Sequence, residues 1–120
     1  MMSFIATMGT AEQLDDLNTY AVILSEQCDG TGNRLEIQKA LTFDESDRET
    51  GMDTYCLCTQ TGATHYGGIT SWQMKGNNLE LLLNVEAASA LGLDTTLSIE
   101  LRLATNSIEK VLAGLHRLLA

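Results

Sequence analysis

Hydrophobic and polar residues alternate in several short runs of this chain, a pattern that predicts β-strands. Strands are predicted over residues 3–7, 19–26, 33–41, 53–59, 64–74, 79–84 and 95–103. The intervening sequences are rich in Gly, Asn and Asp, which favour turns. One of them, CDGTGN at residues 28–33, is predicted to join the second and third strands into a hairpin.

A second hairpin is predicted around the sequence QTGA, which separates the fourth and fifth of these strands. If its turn is centred on Thr61–Gly62, Cys58 lies opposite His65, and Cys56 shares their face of the sheet. A loop that differs by one residue in length would move the histidine to the other face.

Two helices are predicted by apolar residues spaced three and four apart. Residues 85–93 predict a short helix that is capped by Asn84 and ends at Gly92. Residues 107–119 carry one apolar stripe and predict an amphipathic helix with a capping box that starts at Asn106. Hairpins followed by helices predict the α+β class: a mostly antiparallel sheet with a short helix and a C-terminal helix packed on it.

Composition limits the classes of function. The 120 residues suit one domain over 1–120, and 16 acidic against 7 basic residues give a formal net charge of −9. That charge argues against nucleic acid and anionic membrane surfaces as partners and favours a basic partner. No apolar run approaches the roughly 20 residues of a membrane span, and no signal peptide is indicated. We therefore expect a cytoplasmic protein.

The second hairpin is also the strongest candidate for chemistry, because Cys56, Cys58 and His65 lie close together in sequence. With Cys28 the cysteines number three, an odd count that indicates reduced thiols. A structural zinc site needs four ligands, and a reactive thiolate needs nearby positive charge, whereas the preceding segment is acidic. We predict that these residues pack in a sheet, with no metal, cofactor or catalytic role. A small metal or thiol enzyme that uses them is the less favoured alternative.

The acidic segment TFDESDRETGMD, residues 42–53, is predicted to be a solvated loop, and its spacing does not fit a calcium-binding EF-hand. In the predicted register, Tyr55, Tyr66 and Trp72 lie on the face opposite the cysteines, and such aromatic residues are favoured at protein interfaces. The two features together predict a docking surface. Its candidate partner-binding residues are Asp44, Glu45, Asp47, Glu49, Asp53, Tyr66 and Trp72.

Three short sequences carry a resemblance to a known family: LEIQ at 35–38, GMDTYCL at 51–57 and HYGG at 65–68. On these, and from Leu35 to the closing helix, the chain resembles the bacterial Immunity protein 10 family of polymorphic toxin systems. The resemblance implies a largely β protein that is not an enzyme and that binds and neutralises a cognate bacterial toxin domain. A basic toxin such as a nuclease would suit the net charge. The alternative is a homo-oligomeric or scaffold module that uses an exposed sheet edge.

Overall fold

The computed structural model describes residues 2–27, 29 and 31–119. The strands are β1 (Met2–Ala6), β2 (Met8–Leu14), β3 (Thr19–Ser25), β4 (Arg34–Ala40), β5 (Cys56–Thr59), β6 (Thr64–Tyr66), β7 (Ile69–Lys75), β8 (Asn78–Leu83) and β9 (Thr96–Leu101). The helices are α1 (Glu45–Glu49), α2 (Val85–Leu91) and α3 (Thr105–Leu119), and a 3₁₀ turn spans Asp15–Leu17. These elements confirm the predicted α+β class.

The strands form two sheets. One has the order β1-β9-β8-β7 and the other the order β2-β3-β4-β5-β6. The β1–β9 pair is parallel, and the other pairs are antiparallel. The predicted pairing of β3 with β4 as a hairpin is confirmed. Cys28 and Gly30 of the predicted turn lie outside the described residues. The chain crosses from the four-stranded to the five-stranded sheet at Thr7, and it crosses back at Gly67–Gly68.

The passage at Gly67–Gly68 breaks a run that the sequence predicts as one strand over 64–74. Both glycines have positive φ, 70° and 103°, so the chain turns sharply between β6 and β7. A side chain at Gly68 would overlap the Cβ of Ala87 in α2. Glycine is therefore required both for the turn and for the close approach of the helix.

The core lies between the inner faces of the two sheets. The five-stranded sheet contributes the buried side chains of Val22, Leu24, Leu35, Ile37 and Leu57, and the four-stranded sheet those of Leu79, Leu81, Leu83, Leu97, Ile99 and Leu101. Burial of each of these side chains stabilises the fold by about 1.5–3 kcal/mol relative to leaving it exposed. Helix α3 adds Val111, Leu115 and Leu118 and packs chiefly against β2, with further contacts to β3 and β4. The predicted packing of the C-terminal helix on a sheet is confirmed.

The two longer helices differ in how well their ends are predicted. Helix α2 has the predicted caps: the Asn84 side chain accepts a hydrogen bond from Ala87 N, and Gly92 has a φ of 69°. Helix α3 begins earlier than predicted, because Ile108 N already donates to Ala104 O at 3.1 Å. Asn106 therefore lies inside the first turn, and its prediction as the cap is wrong.

Candidate functional site

The second hairpin has a longer loop than the sequence prediction assumed. Thr59 N donates to Ala63 O at 3.1 Å, which leaves three residues in the loop, and the last of them, Gly62, has a φ of 85°. Such a loop, a turn followed by a left-handed glycine, is common in hairpins. It shifts the pairing of β5 and β6 by one residue from the register predicted for a turn centred on Thr61–Gly62.

The shift separates the histidine from the cysteines. Cys58 pairs with Thr64, whereas His65 pairs with Leu57, a buried residue of the inner face. The predicted arrangement with Cys58 opposite His65 is therefore wrong. His65 Nδ1 lies 3.1 Å from its near neighbour Gly67 O. Over the ranges that the structure describes, no three His, Cys, Asp or Glu side chains come together in a way that could hold a metal ion.

The two cysteines lie side by side on the outer face of the five-stranded sheet, the face that points away from the core. Their Sγ atoms are 3.9 Å apart, and Gln38 Nε2 donates to Cys58 Sγ at 3.2 Å. Burial, and then the proximity of Cys58, raise the pKa of the Cys56 thiol to about 11. The Cys56 thiol is therefore protonated at neutral pH and is a poor nucleophile.

The acidic segment is more ordered than the loop that the sequence predicts, because it contains α1. Asp44 accepts a hydrogen bond from Asp47 N at 2.8 Å, and Asp47 accepts one from Asp44 N at 3.1 Å. This reciprocal pair is a capping box in which aspartate takes the place of the usual glutamate or glutamine. Two of the predicted partner-binding acids therefore also cap the helix that carries Glu45 and Glu49.

A second acidic segment lies beside the first. Leu41 N donates to Asn18 O at 2.9 Å, and Asn18 Nδ2 donates to Thr42 Oγ1 at 3.1 Å, so the turn between β2 and β3 is fastened to the start of the acidic segment. We call residues 15–18 and 42–53 together the acidic end. Its carboxylates are Asp15, Asp16, Asp44, Glu45, Asp47, Glu49 and Asp53, and the only cation within these two segments is Arg48.

Apolar side chains are exposed among these charges. Leu17, Met52 and Tyr66 are 70%, 43% and 42% exposed. Met52 and Tyr66 line an open cavity of about 260 Å³, with Asp47, Lys39 and Cys56 among its other walls. The structure thus places Tyr66 beside the acidic segment. The turn that carries Leu17 was not part of the sequence prediction, because only the folded chain brings the two segments together.

The other two aromatic residues of that prediction, Tyr55 and Trp72, lie elsewhere. Tyr55 points towards the sheet junction, where its hydroxyl accepts a hydrogen bond from Ile69 N at 2.9 Å. Trp72 belongs to β7 of the four-stranded sheet and is half-buried, with its ring edge-on to that of His116 at 5.0 Å between centroids. The prediction that Tyr55, Tyr66 and Trp72 share one face is therefore wrong.

A family model described as Immunity protein 10 matches residues 5–109 of the chain. The chain belongs to the Immunity protein 10 family. The predicted resemblance is confirmed, and the matched range includes the whole acidic end and the second hairpin. No curated protein and no solved structure matches this member of the Immunity protein 10 family. Among its described residues, no helix is long and apolar enough to cross a membrane.

Proposed function

We propose that this member of the Immunity protein 10 family binds a cognate bacterial toxin domain and neutralises it by covering the toxin's active site, without catalysis of its own. The observation that carries the proposal is the acidic end, where exposed apolar side chains lie among seven carboxylates and one cation. Apolar anchors within a charged rim are typical of surfaces that bind other proteins.

The charge of the surface indicates the chemistry of the partner. A net charge of −9 favours a toxin domain with a basic active-site face, such as that of a nuclease. Complementary charge raises association rates from about 10⁵–10⁶ to as much as 10⁸–10⁹ M⁻¹s⁻¹ at low salt. Rapid capture is what protection from a toxin demands.

The molecule as a whole is large enough to cover an active site. The accessible surface of the molecule is 6603 Å². A standard interface covers about 800 Å² per partner, or about an eighth of that surface. One docking surface of standard size therefore occupies only a small part of the molecule.

Residues of this surface have two roles in the proposal. The carboxylates Asp44, Glu45, Asp47, Glu49 and Asp53 steer the toxin, joined by Asp15 and Asp16 of the neighbouring turn. Tyr66, Leu17 and Met52 then anchor it. Trp72, placed on the other sheet against α3, contributes to the stability of the fold and not to the contact.

The proposal is tested by co-expressing the chain with the toxin domain encoded next to its gene, and by measuring survival of the host and co-purification. We expect survival and a stable complex. A host that dies despite abundant folded protein would contradict the proposal.

The anchors are tested in the same complex by truncating Leu17 and Tyr66 to alanine, singly. Each change should weaken binding by about 30-fold, chiefly through faster dissociation, because anchors commonly contribute about 2 kcal/mol. Val85→Ala is the matched control, since Val85 is 76% exposed but lies on α2. Equal losses of toxin affinity in all three variants would show that the acidic end is not the docking surface.

A further inference from the structure

The two thiols on the outer face of β5 are not used by the proposed function, yet their spacing is informative. The Sγ atoms of Cys56 and Cys58 lie 3.9 Å apart. Two sulfurs that bind one tetrahedral zinc ion at about 2.3 Å each are separated by about 3.8 Å. The strand therefore holds two sulfur atoms at the separation at which one metal ion bridges them.

A disulfide fits this arrangement less well than a bridging ion. Residues two apart on a strand have Cα atoms about 6.8 Å apart, the upper end of the range that disulfides accept. The sulfurs would also have to move from 3.9 Å to about 2.05 Å, which would distort β5 and its pairing with β4 and β6. An ion needs no such movement.

The available ligands indicate which ion would bind. With His65 on the inner face, the described residues offer no third or fourth nitrogen or carboxylate ligand, as structural zinc requires. Thiolate and thioether sulfur instead select soft ions such as Cu(I). Met52, whose side chain carries a thioether, lines the same cavity as Cys56.

We propose that Cys56 and Cys58 form a binding site for a thiophilic monovalent cation, represented by Cu(I), with the Met52 thioether as an additional ligand. The copper site shares Met52 with the proposed toxin-binding surface, but it is tested on the protein alone and does not depend on toxin binding.

Metal binding can displace the protons of the pair, and one neighbouring side chain stabilises the thiolate that results. Binding one Cu(I) replaces the two thiol protons, which pass to solvent, and leaves one net negative charge on the bis-thiolate complex. No oxidant or reductant is needed. Gln38 Nε2 already donates to Cys58 Sγ, and this hydrogen bond strengthens when the sulfur becomes a thiolate. Lys39 and Asp47 both line the same cavity, so a cation and an anion lie beside it.

The test is an anaerobic titration of the reduced protein with Cu(I) in competition with the chromogenic chelator bicinchoninate. The parent for comparison is Cys28→Ser, which excludes the third thiol and should bind one equivalent. Adding Cys56→Ser or Cys58→Ser should weaken binding by more than about 100-fold, and adding Met52→Leu by about tenfold. Circular dichroism checks that each variant remains folded.

A second measurement needs no variant of the pair. Cu(I) should protect Cys56 and Cys58 of the unmodified chain from alkylation, as read by peptide mass spectrometry, and X-ray absorption should show only sulfur in the first shell. The proposal is overturned if the chelator retains all the copper, if either serine variant binds like its parent, or if copper leaves alkylation of the two thiols unchanged.

Discussion

At the scale of single residues, Gly114 sets how closely α3 approaches the five-stranded sheet. A Cβ there would lie 2.6 Å from Val22 Cγ2 and 2.9 Å from Ala11 Cβ. Gly114→Ala gains about 1 kcal/mol of helix propensity, whereas overpacking costs about 1–3 kcal/mol. Because neither neighbour has a flexible side chain, we expect the free energy of unfolding in urea to fall by about 1–2 kcal/mol.

A second-site change separates the contact from other effects of the same substitution. Val22→Ala removes the atom nearest to the new methyl group. Gly114→Ala should therefore lower the free energy of unfolding less in the Val22→Ala background than in the unmodified chain. Strictly additive losses would show that the clash is not the cause.

The Cys56 thiol should make the free energy of unfolding depend on pH in the alkaline range. Burial and the neighbouring Cys58 raise its pKa from 9.0 to about 11, so the folded state keeps the proton to higher pH than the unfolded state does. The resulting stabilisation is present below pH 9.0 and is lost as the pH rises towards about 11. The free energy of unfolding should fall more steeply over this interval in the unmodified chain than in Cys56→Ser. Identical slopes would contradict the assignment.

At the scale of elements, substitutions of Asp44 can separate its role as the cap of α1 from its proposed role in toxin binding. Asp44→Asn should retain the cap and lose the charge, whereas Asp44→Ala should lose both. We expect Asp44→Ala alone to speed amide exchange of Asp47 about fivefold, equivalent to about 1 kcal/mol of cap energy. Toxin association should slow in both variants. Faster exchange in the asparagine variant as well would show that the negative charge holds the cap.

The elements also show what sequence patterns can predict. β3, β4, β9 and α3 each present one apolar face to the core, so periodicity identifies them. The sequence pattern did not predict β2. This strand lies under α3, where Gly9 and Ala11 must be small, so it has no stripe of large apolar residues. Helix α1 escaped prediction because its residues are all polar and charged, and its capping box is the signal that could have revealed it.

The candidate site was predicted only in part, for a related reason. The acidic segment and Tyr66 lie near each other in sequence as well as in space, so their association could be anticipated. Whether a residue of the second hairpin faces in or out depends on one residue of loop length, which composition does not fix. The approach of Leu17 depends on contacts between segments that are more than 20 residues apart, such as Asn18 with Thr42.

At the scale of the whole molecule, the position of a charge should matter more than its number. The molecule measures 39 × 31 × 26 Å, several times the Debye length of about 8 Å at physiological salt. Glu45→Gln with Glu49→Gln should slow association with the toxin about threefold or more at low salt. The control is the double variant Glu86→Gln with Glu109→Gln, which removes the same amount of charge from α2 and α3. It should change the association rate little.

The same pair of variants gives a test by ionic strength. The difference in association rate should shrink as salt is raised towards about 1 M, where the Debye length is about 3 Å. Equal slowing by both pairs would show that net charge, and not the acidic end, governs encounter.

The parallel pairing of β1 with β9 joins residues 2–6 to residues 97–101. During synthesis, the ribosome must have passed Leu101, and the last of that strand must have left the exit tunnel, before β1 has a neighbour. The four-stranded sheet is therefore completed late, and pairing over so long a stretch of chain is slow to form. On the proposed function, protection from the toxin should therefore lag behind translation by the time that this sheet takes to form.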